Sequence, residues 1–156
     1  KKYAELNNIT MSELVRQSVM ERIEDELDLQ AYEKAMKEYK ANPDRIVLTG
    51  SSMGGYGTWE MGMCYPETFA AIAPVAGGGV CWRTSKLKST PVLAYHGDCD
   101  EVVPVLDSVQ MVKSVNRNGG HAQLRLLYGV GHDAWNVAYE GDELYTWLLS
   151  HKRKCE

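Results

Sequence analysis

Apolar runs and amphipathic segments alternate along the chain from Asp44 onward. Short runs rich in β-branched and aliphatic residues predict buried strands, whereas apolar residues at helical spacing predict the helices between them. Strands separated by helices predict a parallel sheet with right-handed crossovers, which is an α/β fold of about four strands. The predicted strands are Arg45–Leu48, which we expect to be fully buried, Phe69–Ala76, Pro91–His96 and Gln123–Tyr128. The predicted helices follow Ser52, span Leu106–Asn116 and run from about Glu143 to His151.

The amino-terminal 42 residues have a different pattern, with nine acidic and seven basic residues and no glycine. Thr10–Glu13 fits a helix capping box, and the apolar residues of Leu14–Leu27 share one face of the helix that would follow it. Asp28 is placed to cap a second helix, which would end before Pro43 because a residue that precedes proline disfavours helical geometry. We therefore predict two domains, a helical segment over residues 1–42 and a second domain over residues 43–156.

Composition is that of a globular protein and excludes several function classes. Of the 156 residues, 44% are hydrophobic and 24% are charged, and a net charge of −4 does not suit a surface for nucleic acid or anionic lipid. No apolar run reaches membrane-spanning length, and no signal-peptide pattern opens the chain. The four cysteines lack paired or metal-type spacing, which favours free thiols in a reducing compartment. We therefore expect a cytoplasmic protein with no nucleic-acid or membrane partner.

The sequence Gly50-Ser51-Ser52-Met53-Gly54 lies between the first predicted strand and a predicted helix. It fits G-x-S-x-G, and strand, tight turn and helix are the context that a nucleophile elbow requires. The turn would lift the Ser52 hydroxyl clear of the sheet, and side chains at Gly50 and Gly54 would collide with the neighbouring strand and helix. The Met53 amide would face an acyl oxygen as it becomes negative. A flexible glycine–serine turn is the alternative, and the flanking elements favour the elbow.

Carboxylate and imidazole side chains follow the third and fourth predicted strands. Asp98 and Asp100 come after the third strand, and His132 comes after the fourth. Because the carboxyl ends of parallel strands meet at one edge of a sheet, we expect these side chains and Ser52 to lie together. In such a set the serine attacks, the histidine transfers its proton, and a carboxylate fixes the histidine tautomer. The pattern alone leaves Asp98 and Asp100 as alternatives for the carboxylate.

The other chemistry-bearing residues are weaker candidates. His121 precedes a predicted strand and so belongs to the opposite edge, and His151 lies in the tail. Trp82 and Trp135 can line a shallow substrate pocket, although burial in the core is the commoner role of an indole. The sequence contains no metal-type cluster, phosphate loop or nucleotide motif. We therefore expect no metal and no cofactor.

Residues 44–156 resemble the carboxyl-terminal half of an α/β-hydrolase of the carboxylesterase, predicted-peptidase and dienelactone-hydrolase type. The chain order Ser, Asp, His is that of this fold, and the matching stretches are Asn42–Trp59, His96–Pro104 and Gly129–Trp135. The resemblance implies that Ser52 is the nucleophile, that Asp100 is the acid, and that His132 is the base. It also implies that His96 braces the loop, and that the substrate is a small carboxylic ester, or an amide, cleaved through an acyl-enzyme.

The resemblance covers only part of the hydrolase fold. A complete member has four more strands before the elbow, and a loop among them supplies the second oxyanion donor. Residues 1–42 stand in that place, so we expect reduced turnover, since loss of one oxyanion donor typically costs about 10²–10³-fold. We also expect the outer edge of Arg45–Leu48 to be exposed unless something covers it.

Residues 1–42 resemble a ribbon-helix-helix antitoxin. Leu6–Gln17 is similar to the turn and second helix of that fold, and Ile23–Asp28 with the following helix is similar to its toxin-facing tail. Residues 1–42 contain no segment similar to the amino-terminal strand of that fold that enters the DNA groove, so we expect no DNA binding. The resemblance implies an alternative function, which is a non-catalytic protein that dimerises or binds a toxin. A homo-oligomer would then form through residues 1–42 or through the exposed sheet edge.

Overall fold

Two compact units make up the chain, Lys1–Asn42 and Pro43–Glu156. The computed structural model describes residues 42–153 and, before them, Thr10, Ser12 and residues 26–31, 33–34, 36–37 and 40. Residues 26–31 are helical and exposed. Asp28 therefore lies within a helix and is not the N-cap that we predicted, because Glu26 and Leu27 before it are already helical. Most of the predicted capping box and of the Leu14–Leu27 face lies outside the described residues.

The second unit is built on a four-stranded parallel sheet in which the strand order follows the chain order. The strands are β1 (Val47–Ser51), β2 (Ala71–Val75), β3 (Val92–Gly97) and β4 (Ala122–Leu127). The helices are α1 (Met53–Cys64), α2 (Val105–Arg117), α3 (Ala134–Glu140) and α4 (Asp142–Leu149), and a 3₁₀ helix spans Cys81–Leu87. The α/β class and the four parallel strands are confirmed.

The first strand differs from the prediction in both position and burial. It spans Val47–Ser51, about two residues later than predicted, because Val47 pairs with Ala71 and Ser51 with Val75. Its residues are partly exposed, whereas every residue of β2 is buried. Among the residues that the structure describes, β1 pairs only with β2 and is an edge strand. The prediction of a fully buried first strand was therefore wrong, and the predicted open edge is present in the described sheet.

The core lies on both faces of the sheet, because successive residues of a strand point to opposite sides. Ile72 belongs to the cluster that contains Trp59 of α1 on one face. The neighbouring residue Ala71 belongs to the cluster that contains Leu144 of α4 on the other face. Burial of a side chain such as Leu144 typically contributes about 1.5–3 kcal/mol. Helices on both faces give three layers, which hold the strands rigid and fix the positions of the loops at their ends.

Two short helices were missed by the sequence analysis. The 3₁₀ helix lies in the segment between the second and third strands, where Thr84 Oγ1 donates to the Cys81 carbonyl at 2.8 Å. The seven-residue α3 is separated from α4 by Gly141, which has an extended backbone. Both helices are too short to display a repeating apolar face, so periodicity could not reveal them.

Candidate active site

A strained serine joins β1 to α1 at the carboxyl edge of the sheet. Ser52 has φ of 54° and ψ of −118°, in the positive-φ region that side chains other than glycine rarely adopt. Its amide donates to the Val75 carbonyl at the end of β2, at 2.9 Å, which fixes the turn against the neighbouring strand. Strain of this kind persists only where the surroundings enforce it and is concentrated at functional sites.

Only one of the two motif glycines is required by close packing. A Cβ at Gly50 would lie 2.5 Å from the Gly54 carbonyl oxygen, so no side chain fits there. A Cβ at Gly54 would meet nothing within 4 Å, which corrects our expectation of a collision at that position. The second close approach falls on Gly55 instead, where a Cβ would lie 2.4 Å from the Val75 carbonyl oxygen. The helix therefore packs against β2 through Gly55, one residue after the motif.

The structure brings Ser52, His132 and Asp100 into one line of hydrogen bonds. Ser52 Oγ lies 2.8 Å from His132 Nε2. His132 Nδ1 lies 2.9 Å from Asp100 Oδ2 and 3.1 Å from Asp100 Oδ1. The three side chains come from the ends of β1, β4 and β3 respectively, so the parallel sheet itself assembles the site.

Asp100 is the carboxylate in this line, and its side chain is fully buried. The amides of Val102 and Val103 donate to Asp100 Oδ1 at 2.9 and 2.8 Å. Burial raises the pKa of the Asp100 carboxyl, but the hydrogen bonds from His132 and from these amides outweigh that effect, and its pKa lies below the ordinary value. Asp98 lies elsewhere, with its Oδ1 accepting the Gly129 amide at 2.7 Å.

The loop that carries His132 crosses tightly over the end of β3. A Cβ at Gly97 would lie 2.2 Å from the Val130 carbonyl oxygen and 2.4 Å from the Gly131 carbonyl oxygen. Glycine at position 97 therefore lets the loop approach closely enough for His132 to reach Ser52. The Trp135 ring packs edge-on against the His132 ring, with the centroids 5.3 Å apart. These contacts limit where the imidazole can move.

His96 lies behind Asp100 and is fully buried. Its Nε2 is 3.0 Å from the Val103 carbonyl and 3.2 Å from Asp100 Oδ2. Its Nδ1 is 2.8 Å from Ser108 Oγ, and Ser108 Oγ donates to the Gly77 carbonyl at 2.7 Å. Sequence reasoning missed Ser108, because a single serine on an amphipathic helix gives no signal of its own. The contacts agree with a bracing position for His96.

The remaining candidate residues lie outside the line of hydrogen bonds from Ser52 to Asp100. Met53 is the first residue of α1, so its amide has no acceptor within the helix, and its side chain is exposed. Trp82 lies in the 3₁₀ helix with 82% of its surface exposed, and its ring makes no stacking contact with a described aromatic residue. His121 lies at the opposite end of the sheet, as predicted. It lines a cavity of about 720 Å³ that also includes His151 and contains none of Ser52, Asp100 and His132.

The comparisons with known proteins agree with this fold. The chain is 35% identical in sequence to a thermostable esterase of known structure, with a TM-score of 0.72 over 81% of this chain and 36% of the esterase. It is 32% identical to esterase PE8, with a TM-score of 0.53 over 63% of this chain and 49% of that enzyme. The described sheet and helices have an α/β-hydrolase-like fold.

One of the curated relatives is a depolymerase. The chain is 30% identical to a poly(3-hydroxyoctanoate) depolymerase of Pseudomonas fluorescens over 118 residues, which are 70% of this chain and 42% of the depolymerase. The chain thus spans less than half the length of this relative and of the two esterases.

Residues 1–48 match the model of a family of unknown function, DUF6290. In the described part of the chain, no helix is both long and apolar enough to cross a bilayer.

Proposed function

We propose that the protein is a serine hydrolase that cleaves carboxylic esters through an acyl-enzyme. The observation that carries the proposal is the unbroken line of hydrogen bonds from Ser52 Oγ through His132 to Asp100. The positive φ of Ser52 supports it, because such strain is expected where a nucleophile must be held above a sheet. The sequence identity to two esterases and to a poly(3-hydroxyoctanoate) depolymerase supports the same reaction class.

In the first half of the proposed reaction, Ser52 Oγ attacks the ester carbonyl carbon while its proton moves to His132 Nε2. The carbonyl oxygen becomes negative, and the Met53 amide at the start of α1 donates a hydrogen bond to it. The tetrahedral intermediate then collapses. The bond to the alcohol oxygen breaks, His132 returns its proton to that oxygen, and the acyl group stays on Ser52.

In the second half, water takes the place of the alcohol. His132 Nε2 accepts a proton from water, whose oxygen attacks the acyl carbon, and the bond to Ser52 Oγ breaks as the serine regains its proton. Asp100 keeps the Nδ1 proton of His132 in place throughout and stabilises the imidazolium between the two transfers. Free acid and free enzyme are the products, so the cycle requires neither a metal nor an organic cofactor.

The proposed substrate is a small ester, with an amide as the harder alternative. Trp135 packs against His132 and is therefore the better supported of the two tryptophans as a wall of the substrate site. Trp82 has an exposed indole that can stack on an aromatic or alkyl group of the substrate. The described residues include three free thiols, those of Cys64, Cys81 and Cys99. Free thiols are typical of a reducing compartment, so the proposal includes a location in the cytoplasm.

Turnover of p-nitrophenyl acetate tests the proposal. Ser52→Ala removes the nucleophile and should abolish the turnover that the unmodified chain displays. Ser51→Ala changes the adjacent serine, which belongs to β1, and should leave most of the turnover in place. Equal rates for Ser52→Ala and the unmodified chain would overturn the proposal.

A second proposal concerns residues 1–42, whose sequence resembles an antitoxin. In this proposal the segment dimerises or binds a toxin, either beside the hydrolase chemistry or instead of it. Sedimentation of the full chain at several concentrations tests the dimer. A concentration-dependent rise in mass that disappears when residues 1–42 are replaced by an unrelated linker of the same length would support it. A constant monomer mass would refute self-association.

A further inference from the structure

Among the residues that the structure describes, every polar group that faces the buried imidazole of His96 can accept a hydrogen bond. Nε2 faces the Val103 carbonyl at 3.0 Å and Asp100 Oδ2 at 3.2 Å. Nδ1 faces Ser108 Oγ at 2.8 Å. His96 has no exposed surface, so water does not supply an alternative partner. These protein groups alone therefore decide which ring nitrogens carry a proton.

The single hydroxyl proton of Ser108 is already directed elsewhere. Ser108 Oγ lies 2.7 Å from the Gly77 carbonyl, to which it donates. A hydroxyl that donates in this direction can only accept from His96, so Nδ1 must carry a proton. On the opposite side of the ring, Nε2 must also carry a proton, because a carbonyl and a carboxylate both lack one to offer.

A neutral ring cannot satisfy both sides. With a proton on Nε2 only, Ser108 would have to turn its hydroxyl toward Nδ1, which leaves two oxygens 2.7 Å apart with no proton between them. With a proton on Nδ1 only, the Nε2 lone pair would face the Val103 carbonyl and the Asp100 carboxylate. Buried polar groups are normally paired, and leaving one unpaired is costly.

We infer that His96 is a doubly protonated imidazolium that forms a buried ion pair with Asp100 and acts as a positioning residue for it. A buried cation is tolerated where it is paired and hydrogen-bonded, and the side chains of both partners are fully buried. Asp100 then receives donors on both oxygens: the Val102 and Val103 amides on Oδ1, and His132 and His96 on Oδ2. The carboxylate has no freedom to turn away from His132. This role rests on the proposed function, whereas the two protons on His96 do not.

Nitrogen-15 NMR of the full chain with labelled histidine counts the ring protons directly. At pH 7 we expect two N–H signals on one ring, assigned to His96 by their loss in His96→Gln. Ser108→Ala removes the acceptor for Nδ1 and should weaken or remove that N–H signal. Ser114→Ala is the matched control, since it lies on the same helix and loses a bond to the Cys81 carbonyl without touching His96. A single N–H signal on the His96 ring of the unmodified chain would overturn the inference.

Kinetics with a p-nitrophenyl ester separates positioning from folding. His96→Gln keeps one donor but carries no charge, and kcat should fall about 10- to 100-fold with KM nearly unchanged. A circular dichroism spectrum equal to that of the unmodified chain would show that the variant is folded. An unchanged kcat in a folded His96→Gln would refute the positioning role. Absence of ester turnover in the unmodified chain would refute the proposed function and leave the NMR result standing.

Discussion

The two ends of the parallel sheet hold their polar side chains in different ways. At the carboxyl end, Ser52, His132 and Asp100 are joined by hydrogen bonds of 2.8 and 2.9 Å. At the amino end, a cavity of about 720 Å³ is lined by His121 and by Arg153, among others. The buried Nε of Arg153 has no hydrogen-bond partner among the described residues. The proposed active site at the carboxyl end therefore rests on the hydrogen bonds that connect Ser52, His132 and Asp100, and the cavity at the amino end contains none of these three residues.

Substitution of a histidine at each end gives the largest expected contrast. His132→Gln should lower ester turnover by about 10⁴-fold or more, because the proton of Ser52 then has no acceptor. His121→Gln, at the cavity end, should keep nearly all of the turnover. Initial rates with p-nitrophenyl acetate measure both variants. Comparable losses in the two variants would remove the distinction between the two ends.

The two aspartates of one loop give the next contrast. Asp100→Asn should lower turnover by about 10³–10⁴-fold, since the amide of asparagine cannot hold the His132 tautomer in the way that a carboxylate does. Asp98→Asn should cost less than about tenfold, because the Asp98 side chain accepts hydrogen bonds from the Gly129 amide and the Cys99 thiol and from none of Ser52, His132 and Asp100. Turnover rates of both variants, measured at one pH, show which aspartate orients His132. A reversed ranking would show that the wrong carboxylate has been assigned.

Gly97→Ala tests the close approach that carries His132 to Ser52. The new methyl group would meet the Val130 carbonyl oxygen at 2.2 Å, so the loop must shift, and a shift of about 1 Å typically costs about 10²-fold in rate. Gly57→Ala in α1 is the control, since a Cβ there meets nothing within 4 Å and the helix should gain about 0.5–1 kcal/mol. Turnover and urea unfolding measure the two effects. A fully active Gly97→Ala would show that the loop is not tightly held.

The smallest expected effect concerns acid stability. Burial raises the pKa of Asp100, but its hydrogen bonds outweigh burial and keep the pKa below the ordinary value. A carboxyl of this kind contributes stability that is fully present above its unfolded pKa of about 3.9 and is lost as the pH falls through the folded value. The free energy of unfolding should therefore fall more between pH 5 and pH 3 in the unmodified chain than in Asp100→Asn. Equal losses in urea titrations would contradict this account.

Local sequence signals predicted much of the fold, because β2 and β3 are compact apolar runs next to glycine or proline. They failed where tertiary contacts decide the outcome. The position of β1 depends on its pairing with β2, so the strand begins at Val47 and not at Arg45. The close approach at Gly55 depends on the Val75 carbonyl, which lies twenty residues away in sequence and which no motif can show.

The residues of the candidate site also differed in how well local sequence predicts them. G-x-S-x-G located Ser52 because the motif is contiguous, and the order of strand ends located His132. The choice of Asp100 over Asp98 came from the family resemblance. The residue pattern alone could not distinguish the two carboxylates, since both aspartates follow the same strand and are only two positions apart. Ser108 could not be predicted, because its role depends on its contacts with His96 and Gly77, which come from different strand ends.

Labelling with a fluorophosphonate, read by peptide mass spectrometry, shows whether Ser52 is an activated nucleophile. The reagent reacts with a serine that an adjacent base activates, and Ser52 lies 2.8 Å from His132 Nε2 whereas Ser51 belongs to β1. We expect one adduct, on Ser52, and no adduct in His132→Gln. An adduct on Ser51, or equal labelling of many serines, would contradict this expectation.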